Sequence, residues 1–193
     1  MKILRLSYVL FFLVGSTLLA FAMTNAQRNR LYMEYIRQYN AMAVDQMLRY
    51  KIPASITLAQ GLLESGAGQS QLAKRSNNHF GIKCGGDWKG RTVRHTDDAP
   101  NECFRAYSNP KDSYEDHSKF LSGRARYAFL FKLDITDYKG WARGLKQAGY
   151  ATDRSYANRL IQIIEDYELY KYDKFNKKDL KYEKREEKRA ASP

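Results

Sequence analysis

Apolar side chains recur at helical spacing through most of this chain. Residues 28–50 carry such a series, and Pro53 after the break at Lys51-Ile52 suits the first turn of a second helix, which is predicted to run to about Ser65. The same periodicity predicts three later helices, over residues 114–121, 136–148 and 155–167.

The pattern changes between residues 80 and 107. Short strand-like runs stand at 80–83, 91–94 and 103–107, and turn-forming residues such as Gly85-Gly86-Asp87 separate them. This stretch predicts a small antiparallel β element, so the fold class expected is α+β, with a mainly helical part and a β hairpin.

Glu64 stands where the second predicted helix ends. At 100° per residue from Ile56, the apolar face holds Ala59, Leu62 and Leu63. Glu64 falls on the opposite side and is expected to look towards solvent or a cleft. Helix C-terminal carbonyls carry partial negative charge and therefore disfavour an ionised carboxylate. A carboxyl group that resists ionisation suits a general acid, although the dipole accounts for less than one pKa unit and burial must supply the rest.

The first 26 residues have the features of a signal peptide. Lys2 and Arg5 precede an apolar run at 6–22, and Thr24-Asn25-Ala26 offers small residues for cleavage. An uncleaved membrane anchor is the alternative, for which the run is short. We therefore expect an exported protein, periplasmic or extracellular, with one domain over residues 27–170 and a charged tail over 171–193.

The net charge by itself does not select one class of binding partner. The formal net charge of the 193 residues is +12, which could favour anionic glycans, lipid surfaces or nucleic acid. The tail mixes acidic with basic residues, which argues against a nucleic-acid-binding arm. The three histidines are scattered in the sequence and suggest no metal site. We expect a monomer without metal or cofactor.

Two cysteines, Cys84 and Cys103, flank the predicted hairpin. In an oxidising compartment such a pair is more often bridged than free, so a disulfide is predicted. A catalytic thiol is not expected, because nothing near either residue would activate a nucleophile.

Two polar segments could accompany Glu64. Asn78 and Phe80 lie in Asn-Asn-His-Phe-Gly-Ile-Lys, which is either a turn with core residues or a cleft wall whose amides bind sugar hydroxyls. Asp97 and Asp98 lie in the hairpin loop, where either could face Glu64. Glycoside hydrolysis commonly uses two such carboxyl groups.

Four motifs in order resemble the glucosaminidase family, glycoside hydrolase family 73. They are Ile-Pro-Ala-Ser-Ile-Thr-Leu-Ala-Gln-Gly-Leu-Leu-Glu-Ser-Gly-Ala-Gly-Gln-Ser, Asn-Asn-His-Phe-Gly-Ile-Lys, Phe-Arg-Ala-Tyr and Gly-Tyr-Ala-Thr-Asp-Arg-Ser-Tyr-Ala. The resemblance covers roughly residues 35–168. It implies a lysozyme-like fold, in which a cleft separates a helical lobe from a β lobe, and hydrolysis of the β-1,4 bond after N-acetylglucosamine in peptidoglycan glycan strands.

The resemblance also assigns roles. The family's catalytic acid falls on Glu64, and its tyrosine near that acid falls on Tyr150, with Tyr156 in the same block. Relatives often carry a glutamate in the β lobe where this chain has Thr96-Asp97-Asp98. Alignment favours Asp98, with Asp97 next. Asn78, Phe80, Tyr150 and Tyr156 are expected to line the groove.

A non-catalytic alternative stays open. A glycan-binding or cell-wall assembly protein could retain the same fold without turnover. The intact Glu64 argues against it, and the shorter β-lobe acid argues for it.

Overall fold

The computed structural model describes the backbone of residues 4–85, 88–97, 99–176, 178 and 179, and side chains from residue 25 onward. It has six α-helices and one two-stranded sheet within those residues. The helices are α1 (Leu4–Tyr50), α2 (Ala54–Ser65), α3 (Gln71–Ser76), α4 (Pro110–Ser122), α5 (Tyr138–Gln147) and α6 (Tyr156–Asp166), and the strands are β1 (Thr92–His95) and β2 (Glu102–Arg105). Two 3-10 helices, Ala125–Lys132 and Leu169–Lys174, complete the described elements.

The helix predictions are confirmed with shifted ends. α1 begins at Leu4, well before the predicted start at residue 28, and α2 ends at Ser65 as predicted. Sequence periodicity missed α3, because a helix of six residues is too short to show a repeating apolar face. Ser70 starts that helix by accepting a hydrogen bond from the Ala73 amide at 3.1 Å.

α2 is the central element of the fold. It packs against α1, α5, α6 and the 3-10 helix Leu169–Lys174, and every residue from Ala54 to Leu62 is buried. Glu64, on the side opposite the apolar face, is partly exposed as expected, but Thr57 and Gln60 on that same side are fully buried. Periodicity could not anticipate this, because the groups that bond Gln60 come from α4 and α6.

The β element is a hairpin with a third segment beside it. β1 and β2 pair antiparallel with Val93 opposite Phe104. The predicted first strand at 80–83 forms only an isolated bridge, from Lys83 to Phe104. Gly81 has a positive φ of 61°, which ends an extended run there.

The predicted disulfide between Cys84 and Cys103 is present. It joins the segment after Gly81 to β2, and the backbone reinforces the link because the Cys84 amide donates to the Cys103 carbonyl at 2.8 Å. β2 is thus fixed, close to the loop end of the hairpin, to the segment that follows residue 80.

The folded part continues past residue 170. Asp173 is buried and accepts hydrogen bonds from Ser55 N at 2.8 Å and from Ser55 Oγ at 2.6 Å. Pro53 precedes α2 without a side-chain cap, so Asp173 supplies from the far end of the chain the acceptor that the first turn needs.

The predicted signal peptide and most of the predicted tail fall outside the described side chains. Among the residues described, no helix combines the length and apolarity required to cross a membrane.

Candidate active site

Glu64 lies in the last turn of α2, and the chain turns sharply after it. Gly66 adopts a left-handed conformation with φ 56°, and its amide bonds to the Leu62 carbonyl. This is the glycine termination expected at a helix C-terminus, where a residue with a Cβ would be strained. Glu64 is consequently half-buried at the rim of the helical part.

A buried row of hydrogen bonds leads to the Glu64 carboxyl group. Tyr156 Oη donates to Glu64 Oε1 at 2.8 Å. Gln60 Nε2 in turn donates to Tyr156 Oη at 3.0 Å, and Gln60 Oε1 lies 3.1 Å from His117 Nε2. The row fixes the orientation of the Tyr156 hydroxyl, because its oxygen already accepts from Gln60 and its proton is free for Glu64.

Burial raises the pKa of Glu64 to about 7. The hydrogen bond from Tyr156 and the positive charge of Arg159 both act in the opposite direction, and the negative charge of Asp97 adds to the increase. Desolvation is the largest cause, as expected where a dipole alone is too weak. A carboxyl group with this pKa is partly protonated near neutral pH and can donate a proton.

Burial also sets the charge state of the histidine in this row. The pKa of His117 is lowered to about 3 because the ring is completely buried. A neutral ring that donates from Nε2 to Gln60 fits the observed contact. The His117 ring stacks on Phe80 with centroids 3.9 Å apart, which ties α4 to the segment opposite Glu64.

Backbone lies close to Glu64 on its other side. A Cβ placed on Gly81 would come within 4.0 Å of Glu64 Oε2, so the segment that leads into the hairpin passes directly by the carboxyl group. The positive φ at Gly81 explains why glycine suits the position, since a Cβ at this distance from Glu64 would make only an ordinary van der Waals contact.

Of the two aspartates in the hairpin loop, the structure describes only Asp97. Asp97 is exposed and near enough to Glu64 for its charge to affect the Glu64 pKa. The structure therefore brings these two carboxyl groups to one region. Asp98, which the alignment favoured, lies outside the described residues.

Asn78 and Phe80 are not surface residues of a groove, contrary to expectation. Each is at most 2% exposed. The Asn78 side chain donates to the carbonyls of Ile82 and Arg105 and accepts from the Ile82 amide. These bonds consume its polar atoms, so Asn78 shapes the wall behind Glu64 and has none left for a sugar hydroxyl.

The two tyrosines of the Gly-Tyr-Ala-Thr-Asp-Arg-Ser-Tyr-Ala motif stack with ring centroids 5.7 Å apart. Tyr156 is buried and contacts Glu64 directly, which makes it a positioning residue for the carboxyl group. Tyr150 is half-buried, and its hydroxyl donates to the Phe80 carbonyl at 3.4 Å. Of the four expected groove residues, Tyr150 is the one that retains partial exposure.

Sequence reasoning missed Gln60 and His117. Gln60 stands one turn before Glu64 on the same helix face, and that i, i+4 spacing was the available signal. His117 gave no signal, because its role depends on how α4 packs against α2.

A separate cavity of about 210 Å³ is lined by residues of α1 and of the stretch after Gly66, with Tyr35 and His79 among them. It contains none of the predicted site residues. Within the described part of the chain, no three His, Cys, Asp or Glu side chains are grouped as metal ligands.

Comparison with known proteins gives a consistent set of relatives. Residues 40–169 match the family Glucosaminidase, described as mannosyl-glycoprotein endo-beta-N-acetylglucosaminidase. The chain is 37% identical to exo-glucosaminidase LytG of Bacillus subtilis over 139 residues, which are 66% of this chain and 49% of that protein. It is 36% identical to peptidoglycan hydrolase FlgJ of Vibrio parahaemolyticus over 58% of this chain and 40% of that protein. The chain thus spans half or less of the length of these curated relatives.

Solved structures agree with the fold. A peptidoglycan hydrolase from Sphingomonas sp. A1 superposes with a TM-score of 0.63 at 32% identity, over 72% of this chain and 91% of that one. The catalytic domain of the autolysin Auto from Listeria monocytogenes gives a TM-score of 0.61 at 30% identity, over 74% and 87%. The expected α+β, lysozyme-like architecture is confirmed.

Proposed function

Because the chain belongs to the glucosaminidase family, we propose that it is an exported peptidoglycan hydrolase, an endo-β-N-acetylglucosaminidase that cleaves the β-1,4 bond after N-acetylglucosamine. Glu64 is the general acid in this proposal. The protein acts as a monomer and needs neither metal nor cofactor.

The environment of Glu64 is the observation that carries the proposal. Its carboxyl group combines a pKa of about 7 with a hydrogen bond from Tyr156 that fixes the orientation of Oε1. A general acid must hold its proton at the working pH and release it to the leaving oxygen, which requires a pKa near that pH. The half-exposed position beside Gly81 lets a glycan reach the group.

The second carboxyl group comes from the hairpin loop. We propose that Asp98 or Asp97 positions the attacking water or stabilises the positive charge that develops on the sugar ring. The influence of Asp97 on the pKa of Glu64 supports a shared site. The disulfide near the loop end of the hairpin supports it further, because a fixed loop holds such a group at a defined distance.

The first experiment compares Glu64→Gln with Glu34→Gln, which makes the same chemical change on the exposed surface of α1. Purified peptidoglycan is the substrate, and release of reducing ends is measured. We expect Glu64→Gln to lose at least about 100-fold in kcat and Glu34→Gln to match the unaltered protein. Full activity of Glu64→Gln would refute the assignment of the acid.

Mass spectrometry of the products identifies the bond and the mode of cleavage. A new reducing N-acetylglucosamine end supports the proposed linkage, whereas reducing N-acetylmuramic acid refutes it. Internal fragments from long strands support endo cleavage. Release of terminal sugars alone would favour the exo mode, which the name of the B. subtilis relative states for that protein.

A non-catalytic glycan-binding or cell-wall assembly role is the second candidate. The shorter side chains of Asp97 and Asp98, at the place where relatives often carry a glutamate, favour this second candidate. It predicts that the protein sediments with peptidoglycan and releases no reducing ends at any pH from 4 to 8.

A further inference from the structure

Two arginines lie on aromatic rings close to Tyr150. The Arg124 guanidinium carbon is 3.7 Å from the centroid of the Phe120 ring, and that of Arg126 is 4.7 Å from the centroid of Tyr127. The two rings are themselves 5.9 Å apart. Each guanidinium group is thus held over an aromatic ring, and Arg124 Nη1 also donates to the Phe120 carbonyl at 3.4 Å.

The rings beneath the arginines connect directly to the proposed acid. Phe120 and Tyr127 lie 6.2 Å and 6.3 Å from Tyr150. Tyr150 stacks on Tyr156, whose hydroxyl bonds to Glu64. A continuous cluster of packed rings, of which Tyr127 and Tyr156 are buried, therefore connects Glu64 to the two arginines.

These arginines differ from their neighbours in having no carboxylate. Arg105 pairs with Asp116 at 2.8 Å and Arg159 pairs with Asp153 at 3.0 Å. Among the residues that the structure describes, neither Arg124 nor Arg126 forms an ion pair. Repulsion from Arg105 and Arg126 contributes, after burial, to a lowered pKa of Arg124. The negative charge of Asp116 acts on Arg124 in the opposite direction, but the Asp116 carboxylate is already paired with Arg105.

We propose that Arg124 and Arg126 form a subsite that binds a carboxylate of the peptidoglycan strand beside the cleavage site. This inference rests on the proposed function and refines it. Arg126 is exposed and Arg124 is half-buried, so both can be reached. Guanidinium groups bind carboxylates through paired, charge-assisted hydrogen bonds, and stacking on a ring fixes their planes beforehand.

Two sources could provide that carboxylate. One is the peptide stem, which carries several carboxylates. The other is the lactyl group of N-acetylmuramic acid, which is free only where the stem has been removed. A chitooligosaccharide has the same β-1,4 backbone and neither source, so it serves as the neutral reference substrate.

The test measures kcat and KM for Arg124→Gln, Arg126→Gln and the double variant on three substrates: stem-bearing glycan strands, strands whose stems an amidase has removed, and chitooligosaccharides. Arg37→Gln is the matched control, since Arg37 is exposed on α1 and its loss changes the net charge equally. Arg124→Lys and Arg126→Lys retain the charge without the planar fork. Thermal unfolding of every variant verifies folding.

We expect KM for stem-bearing strands to rise about tenfold in each glutamine variant, with kcat nearly unchanged. Activity on chitooligosaccharides should stay within about twofold of the unaltered protein. A KM effect confined to stem-bearing strands identifies the peptide as the source, and one confined to stem-free strands identifies the lactyl carboxylate.

Equal KM values for the glutamine variants, Arg37→Gln and the unaltered protein on every substrate would overturn the subsite. An equal loss on charged and neutral strands would overturn it as well, because the arginines would then act on the fold. Neither result affects the proposed function, which is tested separately by the activity of Glu64→Gln and by the identity of the new reducing sugar.

Discussion

The Tyr156 hydroxyl donates a 2.8 Å hydrogen bond to Glu64 Oε1 across 92 residues of chain. The bond joins the first turn of α6 to the last turn of α2. It also opposes the effect of burial on Glu64, since a donor to the ionised carboxylate stabilises the charged form. Tyr156 therefore orients the proposed proton donor and limits the rise in its pKa.

Removing this hydroxyl should move the pH profile. In Tyr156→Phe the pKa of Glu64 rises above its present value of about 7, because the donor that favours the carboxylate is gone. The alkaline limb of kcat against pH is expected to shift to higher pH. Tyr150→Phe is the control, since the Tyr150 hydroxyl bonds to the Phe80 carbonyl and not to Glu64. An unchanged limb in Tyr156→Phe would contradict the role given to the hydroxyl.

Charges on the two sides of Glu64 should shift the profile in opposite directions. Asp97→Asn removes a negative charge that raises the pKa of Glu64, so the alkaline limb moves to lower pH. Arg159→Gln removes a positive charge that lowers this pKa, so the limb moves to higher pH. The effects are expected to weaken in high salt, because added ions screen both interactions. Shifts of the same sign would contradict the arrangement.

The decrease in kcat on substitution distinguishes the roles of Asp97 and Asp98. If Asp98 is the second carboxyl group, Asp98→Asn loses about 100-fold or more in kcat. Asp97→Asn then shows mainly the shift in pH profile. The reverse pattern would transfer the role to Asp97.

The raised pKa of Glu64 should also make the free energy of unfolding depend on pH. Its pKa is about 7 in the folded protein against an ordinary value of 4.5, so the folded state binds more protons between these values. The contribution of Glu64 to the free energy of unfolding is therefore fully present below about pH 4.5 and is lost as the pH rises through 7. In Glu64→Gln this loss is absent. As the pH rises from 4 to 8, the free energy of unfolding of Glu64→Gln should increase relative to that of the unaltered protein by on the order of 2 kcal/mol. This is less than the full change in the pKa of Glu64 would give, because the side chain is partly exposed. Urea unfolding at the two pH values measures the difference, and a constant difference would contradict it.

The contact between Asp173 and Ser55 should matter for stability more than for activity. Asp173→Ala leaves the Ser55 amide and hydroxyl without their acceptor and is expected to cost about 1–3 kcal/mol. Asp173→Asn keeps one acceptor oxygen and should cost less. Thermal unfolding ranks the two variants. Equal stability of all three proteins would show that the start of α2 needs no acceptor from this segment.

Reduction of the Cys84–Cys103 disulfide should lower the free energy of unfolding by about 3 kcal/mol, because the bond closes a loop across 19 positions. A Cys84→Ser/Cys103→Ser variant should have the lower stability and no response to reductant. Activity should fall in parallel if the loop that carries Asp97 depends on this bond. If reductant leaves the free energy of unfolding of the unaltered protein unchanged, the expectation is contradicted.

The sequence by itself determined the long helices, the hairpin and the main candidate for the general acid, Glu64. Periodicity located the long helices, because an amphipathic helix repeats its apolar positions over several turns. The end predicted for the second helix, at about Ser65, placed Glu64 at a helix C-terminus. The pairing of Cys84 with Cys103 followed from their number and position around a hairpin.

Only the tertiary structure decided what surrounds Glu64. Gln60 has the sequence position of a solvent-facing residue, yet it is buried because His117 and Tyr156 arrive from helices distant in the chain and satisfy both ends of its amide. Asn78 resembled a sugar ligand but bonds to backbone. The approach of Gly81 and the burial that raises the pKa of Glu64 likewise depend on packing between segments. Sequence periodicity reports one element at a time, whereas desolvation and hydrogen bonding at a site depend on which elements meet there.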